Sequence, residues 1–301
     1  MQRLTQYLVP IALLLLGPWT AQAIEVFACE PEWGALVTEI AGDHANVTVA
    51  TTAMQDPHHI QARPSLIAAI SRAQLVVCTG ADLEIGWLPL LLRRAGNPDI
   101  QVGTQGYFLA ADYVRKLEKP QRLDRSQGDL HPQGNPHVHL NPHNIVRIAK
   151  ALNQRLDELD SGNEQAYDRH LDDFLERWNE AIDTWEERAE PLAGLRLASH
   201  NLMFSYLADW LDLKIVATLE AKVGIPPSGS HLARLLRQLS PNPPAAIIRT
   251  PYADDRPSEW LAQRLDIPAI VLPYTVGGTP QATDLFGLFD DTLNRLEAIA
   301  P

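Results

Sequence analysis

The sequence predicts an α/β fold: two lobes, each with a mostly parallel sheet flanked by helices, joined by one long rigid α-helix. Three observations predict it. Short apolar runs alternate with amphipathic stretches in the first half of the chain. The same alternation resumes in the second half. Between them an apolar period of 3.6 residues runs unbroken from Asn163 to Glu190.

Taken in order, the chain begins with Arg3, an apolar run from Leu8 to Leu16, and then Ala21-Gln22-Ala23. A basic start, a short apolar stretch and a small-x-small exit predict a secretory leader over residues 1–23, cleaved after Ala23. The expected product is exported to a bacterial periplasm. Residue 24 is Ile and not Cys, so no lipid anchor is expected at the new end.

The first lobe, residues 24–160, reads as strands at Ile24–Cys29, Asn46–Thr51 and Leu75–Thr79. The last is a continuous apolar run of the kind buried on both faces. Helices are expected near Trp33–Ala41, over Pro64–Arg72, and from Asn141-Pro142 onward, with proline at the start where its missing N–H is harmless. The linking helix, 161–191, carries Tyr167, Leu171, Phe174, Trp178, Ala181, Ile182, Trp185 and Ala189 on one face and mostly charge on the other. The second lobe, 192–301, repeats the alternation. Strands are expected at Arg196–Ser199, Lys214–Leu219, Ala245–Arg249 and Ala269–Leu272. Helices are expected at Asn201–Leu211, His231–Leu239, Ser258–Leu265 and Thr283–Ile299.

The chain of 301 residues is 46% apolar with a formal charge of −12, enough for a sizeable core. The acidic balance argues against nucleic acid and against anionic lipid, both of which want a basic stripe. Cys29 and Cys78 each sit near the C-terminal end of a predicted strand; if those strands are neighbours in a parallel sheet the thiols can meet, and export permits a disulfide, with buried free thiols as the alternative.

Ten histidines are present, four of them between His131 and His143. His58 follows the second strand, His137 precedes a helix, and His200 follows the first strand of the second half. Ligands of open α/β sheets gather at the carboxyl ends of strands, so these three are expected to converge in one cleft. His137 and His139 share a face if their segment is extended. His44, His170 and His231 read as surface residues. There is no zinc-finger spacing and no H-E-x-x-H motif, so local spacing alone decides little.

Four segments carry a family resemblance. Asp56-Pro57-His58 with Pro64-Ser65, Asn135-Pro136-His137-Val138-His139-Leu140-Asn141-Pro142, Ser199-His200-Asn201 with Phe204 and Tyr206, and Glu220 to Ser228 occur in this order. Together they resemble the substrate-binding proteins of metal-specific ABC importers of the zinc/manganese cluster. The resemblance implies a zinc-binding periplasmic protein, not an enzyme, that delivers Zn(II) to an ABC permease at the inner membrane. It implies His58, His137 and His200 as ligands, with His59, His139 and His131 as supporting or recruiting residues. The family's usual carboxylate after the last strand is missing from Leu272-Pro273-Tyr274-Thr275, and Asn201 stands where an Asp is usual. Asp284 is the expected fourth ligand, against water, Glu220 or another histidine. The same Asp284 also suits the first turn of a helix. Three imidazoles with at most one carboxylate suit tetrahedral zinc better than manganese, which would want more oxygen. A monomer is expected, with a periplasmic metallochaperone as a further partner. A periplasmic zinc-dependent hydrolase is the opposing reading and an adhesin a third.

Overall fold

A computed structural model describes residues 23–120 and 131–300. The expected leader lies outside the described residues up to position 22, as does the 124–130 part of the histidine-containing loop. Two four-stranded sheets are present. In the first, β1 (Ile24–Ala28), β2 (Ala45–Val49), β3 (Leu75–Cys78) and β4 (Tyr107–Leu109) pair in parallel in the order β2-β1-β3-β4. In the second, β5 (Arg196–Ser199), β6 (Lys214–Thr218), β7 (Ala246–Arg249) and β8 (Ala269–Val271) pair in parallel in the order β6-β5-β7-β8. The two halves are therefore wound alike.

The helices are α1 (Pro31–Ala41), α2 (Pro64–Ile70), α3 (Leu88–Ala95), α4 (Pro142–Leu159), α5 (Glu164–Ala189), α6 (Ser205–Trp210), α7 (Gly229–Leu239), α8 (Asp255–Leu265) and α9 (Leu285–Glu297). Proline opens α1, α2 and α4. Among the described residues no helix is long and apolar enough to cross a membrane.

Strand alternation divides the core. Val26 and Leu197 face one continuous apolar cluster that includes Trp33, Ile148, Phe174, Trp178 and Phe289 and so spans both halves. Their neighbours Phe27 and Ala198 face two separate outer clusters, one per half. Parallel sheets must be covered on both faces, and this is how each face is covered.

The helix α5 runs for 26 residues, roughly 40 Å at 1.5 Å per residue. It packs on α1 and α4 of the first half and on α9 of the second. Tyr167, Phe174, Trp178, Ile182, Trp185 and Ala189 are buried, as the 3.6-residue period requires. Trp178 is wholly buried. Its Nε1 donates to the Pro142 carbonyl at 3.0 Å. It stacks on Phe174 with ring centroids 5.2 Å apart and meets Phe286 and Phe289 edge-on.

The register sets Ala28 of β1 beside Val77 of β3, so the next residues face each other. Cys29 and Cys78 are disulfide-bonded there, with Cα atoms 4.8 Å apart. Beyond β3 the chain turns at Gly80 (φ 77°), where a Cβ would lie 2.9 Å from the Leu109 Cβ. The Glu84 carboxyl closes that turn by accepting the Thr79 and Gly80 N–H groups at 2.8 and 3.1 Å.

Some elements differ from expectation. β4 and α3 were not foreseen. α6 starts at Ser205 instead of Asn201, because Asn201 Oδ1 accepts the Met203 N–H and holds the chain in a side-chain turn. His231 is buried, its Nε2 3.1 Å from the Thr218 carbonyl. His170 and His44 are half-buried, with His170 Nδ1 3.0 Å from the Ile40 carbonyl. These three are not free surface residues.

Candidate metal centre

The carboxyl ends of strands from both sheets border one cavity of about 270 Å³. Asp56, His58, His59, His131, His137, His200 and Glu220 line it.

His58 follows β2 in a tight turn. Asp56 Oδ1 accepts the His58 backbone N–H at 3.0 Å and lies 2.6 Å from its Nδ1. Trp87 Nε1 donates to the Pro57 carbonyl at 2.8 Å and fixes the turn from below. Burial alone would raise the Asp56 carboxyl, but the hydrogen bonds and charge of His58 hold it below the usual range. An ionised Asp56 favours the proton on His58 Nδ1 and leaves Nε2 for the cavity. That Nε2 lies 3.2 Å from His131 Nε2.

His137 stands at the entry to a 3-10 turn, Val138–Leu140, that leads into α4. Asn135 Oδ1 accepts its backbone N–H, and its Nδ1 lies 2.9 Å from the Tyr274 hydroxyl. The ring centroid is 5.8 Å from that of His58 and 6.5 Å from that of His131. Burial, and then the neighbouring His58, His131 and His139, push His137 well below the usual histidine range. Its imidazole is neutral at pH 7, the form that binds a cation. Burial also holds the Tyr274 hydroxyl well above its usual range, so it remains a neutral phenol.

His200 follows β5 directly, and its backbone N–H donates to the Ile248 carbonyl. Its Nε2 lies 3.5 Å from Glu220 Oε1, while Glu220 Oε2 accepts the Gly224 N–H at 2.9 Å. The buried His200 Nδ1 has no hydrogen-bond partner. A buried polar atom without a partner is costly.

The structure thus brings His58, His137 and His200 to one cavity, with His59 and His131 beside them. It does not bring Asp284 there. Asp284 is exposed and caps α9, its Oδ1 accepting the Gly287 N–H at 2.7 Å. The helix-start role foreseen for this residue is the one observed. The carboxylate beside His200 is Glu220, and the one beside His58 is Asp56. Nor do His137 and His139 share a face, because their segment is a 3-10 turn and not extended. The His139 side chain is fully buried, with Nε2 2.8 Å from the Tyr274 carbonyl and Nδ1 3.2 Å from Glu32 Oε1. Sequence reasoning overlooked Tyr274. Its signal was position: it lies just beyond the last strand of the second half, where ligands gather.

The donors lining the cavity are five imidazoles and the carboxylates of Asp56, Glu118 and Glu220, a set that suits borderline divalent metals. The family model described as zinc-uptake complex component A periplasmic (ZnuA) matches residues 26–299. The manganese ABC transporter substrate-binding lipoprotein PsaA of Streptococcus pneumoniae is 20% identical over 85% of this chain and 81% of that protein. The zinc-binding lipoprotein AdcA of Streptococcus pneumoniae is 22% identical over 87% of this chain and 48% of that longer protein. A crystal structure of ZnuA superposes with a TM-score of 0.77 at 21% identity, covering 93% of this chain and all (100%) of that one. The manganese-bound periplasmic metal-binding protein of Candidatus Liberibacter asiaticus gives a TM-score of 0.74 at 17% identity, over 92% of this chain and 100% of that one. These likenesses show the fold.

Proposed function

The chain belongs to the periplasmic zinc-uptake complex component A family, metal-binding substrate-binding components of ABC transporters for zinc or manganese and not enzymes; on that premise we propose that this protein captures Zn²⁺ and delivers it to an ABC permease. One observation carries the choice of site: His58, His137 and His200, from three separate loops, line a single cavity together with Glu220. Three imidazoles and one carboxylate make a four-donor tetrahedral set, whereas manganese favours more oxygen. Glu220 takes the fourth place that Asp284 does not reach.

Capture needs no bond chemistry in the protein. The neutral His137 offers a lone pair without first losing a proton. Zinc entering between His58 and His131 replaces their mutual contact with ligation of His58. His59 and His131 serve as recruiting groups at the site. Residues 1–23 are read as an export leader removed after Ala23, which places the mature chain in the periplasm. Residues 24–160 and 192–301 are its two lobes, with 161–191 the link. The family assignment sets aside the hydrolase reading.

The test is metal content. The mature chain is stripped, offered equal Zn²⁺ and Mn²⁺, freed of excess metal and measured by elemental analysis. One zinc per chain is expected, and His200→Ala should lower zinc affinity by orders of magnitude with an unchanged circular dichroism spectrum. Manganese alone would overturn the zinc reading. A chain that takes up neither metal would overturn the carrier reading.

A further inference from the structure

We propose that Tyr274 is a positioning residue that prepares His137 for cation capture, holding the ring through Nδ1 so that Nε2 is the ligating nitrogen. The proposal rests on the carrier reading above. A neutral imidazole has one donor nitrogen and one acceptor nitrogen, and the hydrogen bond made by one decides what the other can do. The Tyr274 hydroxyl lies 2.9 Å from His137 Nδ1, and the two rings meet edge-on with centroids 5.5 Å apart. When the phenol oxygen accepts a hydrogen bond from Nδ1–H, the Nε2 lone pair is free for a cation. The ring is also held from its main chain, through the Asn135 side chain.

The same residue treats the second histidine of His137-Val138-His139 in the opposite way. The Tyr274 backbone carbonyl lies 2.8 Å from His139 Nε2. A carbonyl can only accept, so His139 Nε2 carries its proton there and is closed to metal. The remaining nitrogen faces Glu32 in the interior. One residue of the second half thus sorts two histidines of the first half, one kept for ligation and one withdrawn.

The loop that carries Tyr274 is anchored across the halves. Thr275, its neighbour, donates its hydroxyl to Glu32 of α1. Outer contacts of this kind orient ligating histidines, and their loss typically weakens metal affinity by about 10- to 100-fold. The hydroxyl of Tyr274 is placed to do this for His137 from across the cleft.

The experiment uses the full chain and Tyr274→Phe, which keeps the ring and removes one hydroxyl. Zinc affinity is measured by chelator competition, and apo thermal stability is followed in parallel. Long-range ¹H–¹⁵N NMR reads the tautomer of each histidine. The variant should bind zinc about 10- to 100-fold more weakly, with an apo melt close to that of the parent. The zinc-loaded parent should show His137 protonated at Nδ1. Equal zinc affinity in the two proteins would overturn the proposal while leaving the carrier reading intact. Metal on Nδ1 of His137 in the parent would overturn it without any variant. A parent chain that takes up no metal would remove both.

Discussion

Trp178→Ala tests whether α5 is part of the core or only a connector between the halves. The indole is wholly buried among Phe174, Trp185, Phe286 and Phe289. Removing a buried Trp side chain to Ala costs about 3–5 kcal/mol through lost transfer energy and a residual cavity. The Pro142 carbonyl loses its 3.0 Å donor as well, and an unsatisfied buried acceptor adds about 1–3 kcal/mol. The sum is about 4–8 kcal/mol. A chain of this size shifts by about 2–4 °C per kcal/mol, so the melting temperature should fall by at least about 8 °C. The assay is thermal and urea unfolding followed by circular dichroism, with Trp178→Phe as a milder control. The cluster that holds Trp178 also holds Val26 and Leu197, so unfolding should remain one transition. A loss below about 1 kcal/mol, or two separated transitions in the parent protein, would refute the reasoning.

Two further outcomes follow from the first half. Burial raises the Glu84 carboxyl to about 7, from 4.5 in the unfolded chain, so the native state keeps a proton that the unfolded state releases and stability falls as pH rises through that window. In Glu84→Gln that component is gone, and a variant profile parallel to the parent's between pH 4.5 and 7 would contradict it. The Cys29–Cys78 bond closes a loop with a sequence separation of 49; chain entropy assigns such a loop about 4 kcal/mol, so Cys29→Ala/Cys78→Ala should unfold at correspondingly lower urea, and an unchanged midpoint would exclude that contribution.

The sequence shows most of the fold because the buried faces have clear periods. The run Leu75–Cys78 is buried at every position, and the α5 period survives into the structure residue by residue. The disulfide was one of two open readings in the sequence, and the parallel pairing of β1 with β3 decides it. The unread elements lack such a period. β4 is three residues long at a sheet edge, and α3 opens with an apolar run containing proline that fits helix and strand alike. In the site, strand-end position identified His58, His137 and His200 as a group. Asp284 was the nearest acid to the carboxylate that the family resemblance implies; an acid before a helix serves a cap and a ligand equally well in sequence, and only the fold shows the Gly287 N–H in its grasp. The shared face of His137 and His139 required an extended segment, and a single 3-10 turn directs the second histidine elsewhere. Tyr274 acts across 137 residues of chain, a pairing no local pattern carries.

The bond between Trp87 and Pro57 has a use beyond holding a turn. An indole is a fluorophore, and this one is tied by its N–H to the peptide carbonyl immediately before His58. With His58 as the proposed ligand, its emission is expected to respond to cation uptake through that piece of backbone. Trp178, Trp185 and Trp210 lie together elsewhere, gathered around Phe289 of α9. On the proposed site, Trp87 offers an optical gauge of loading, built from the residue that supports the His58 turn.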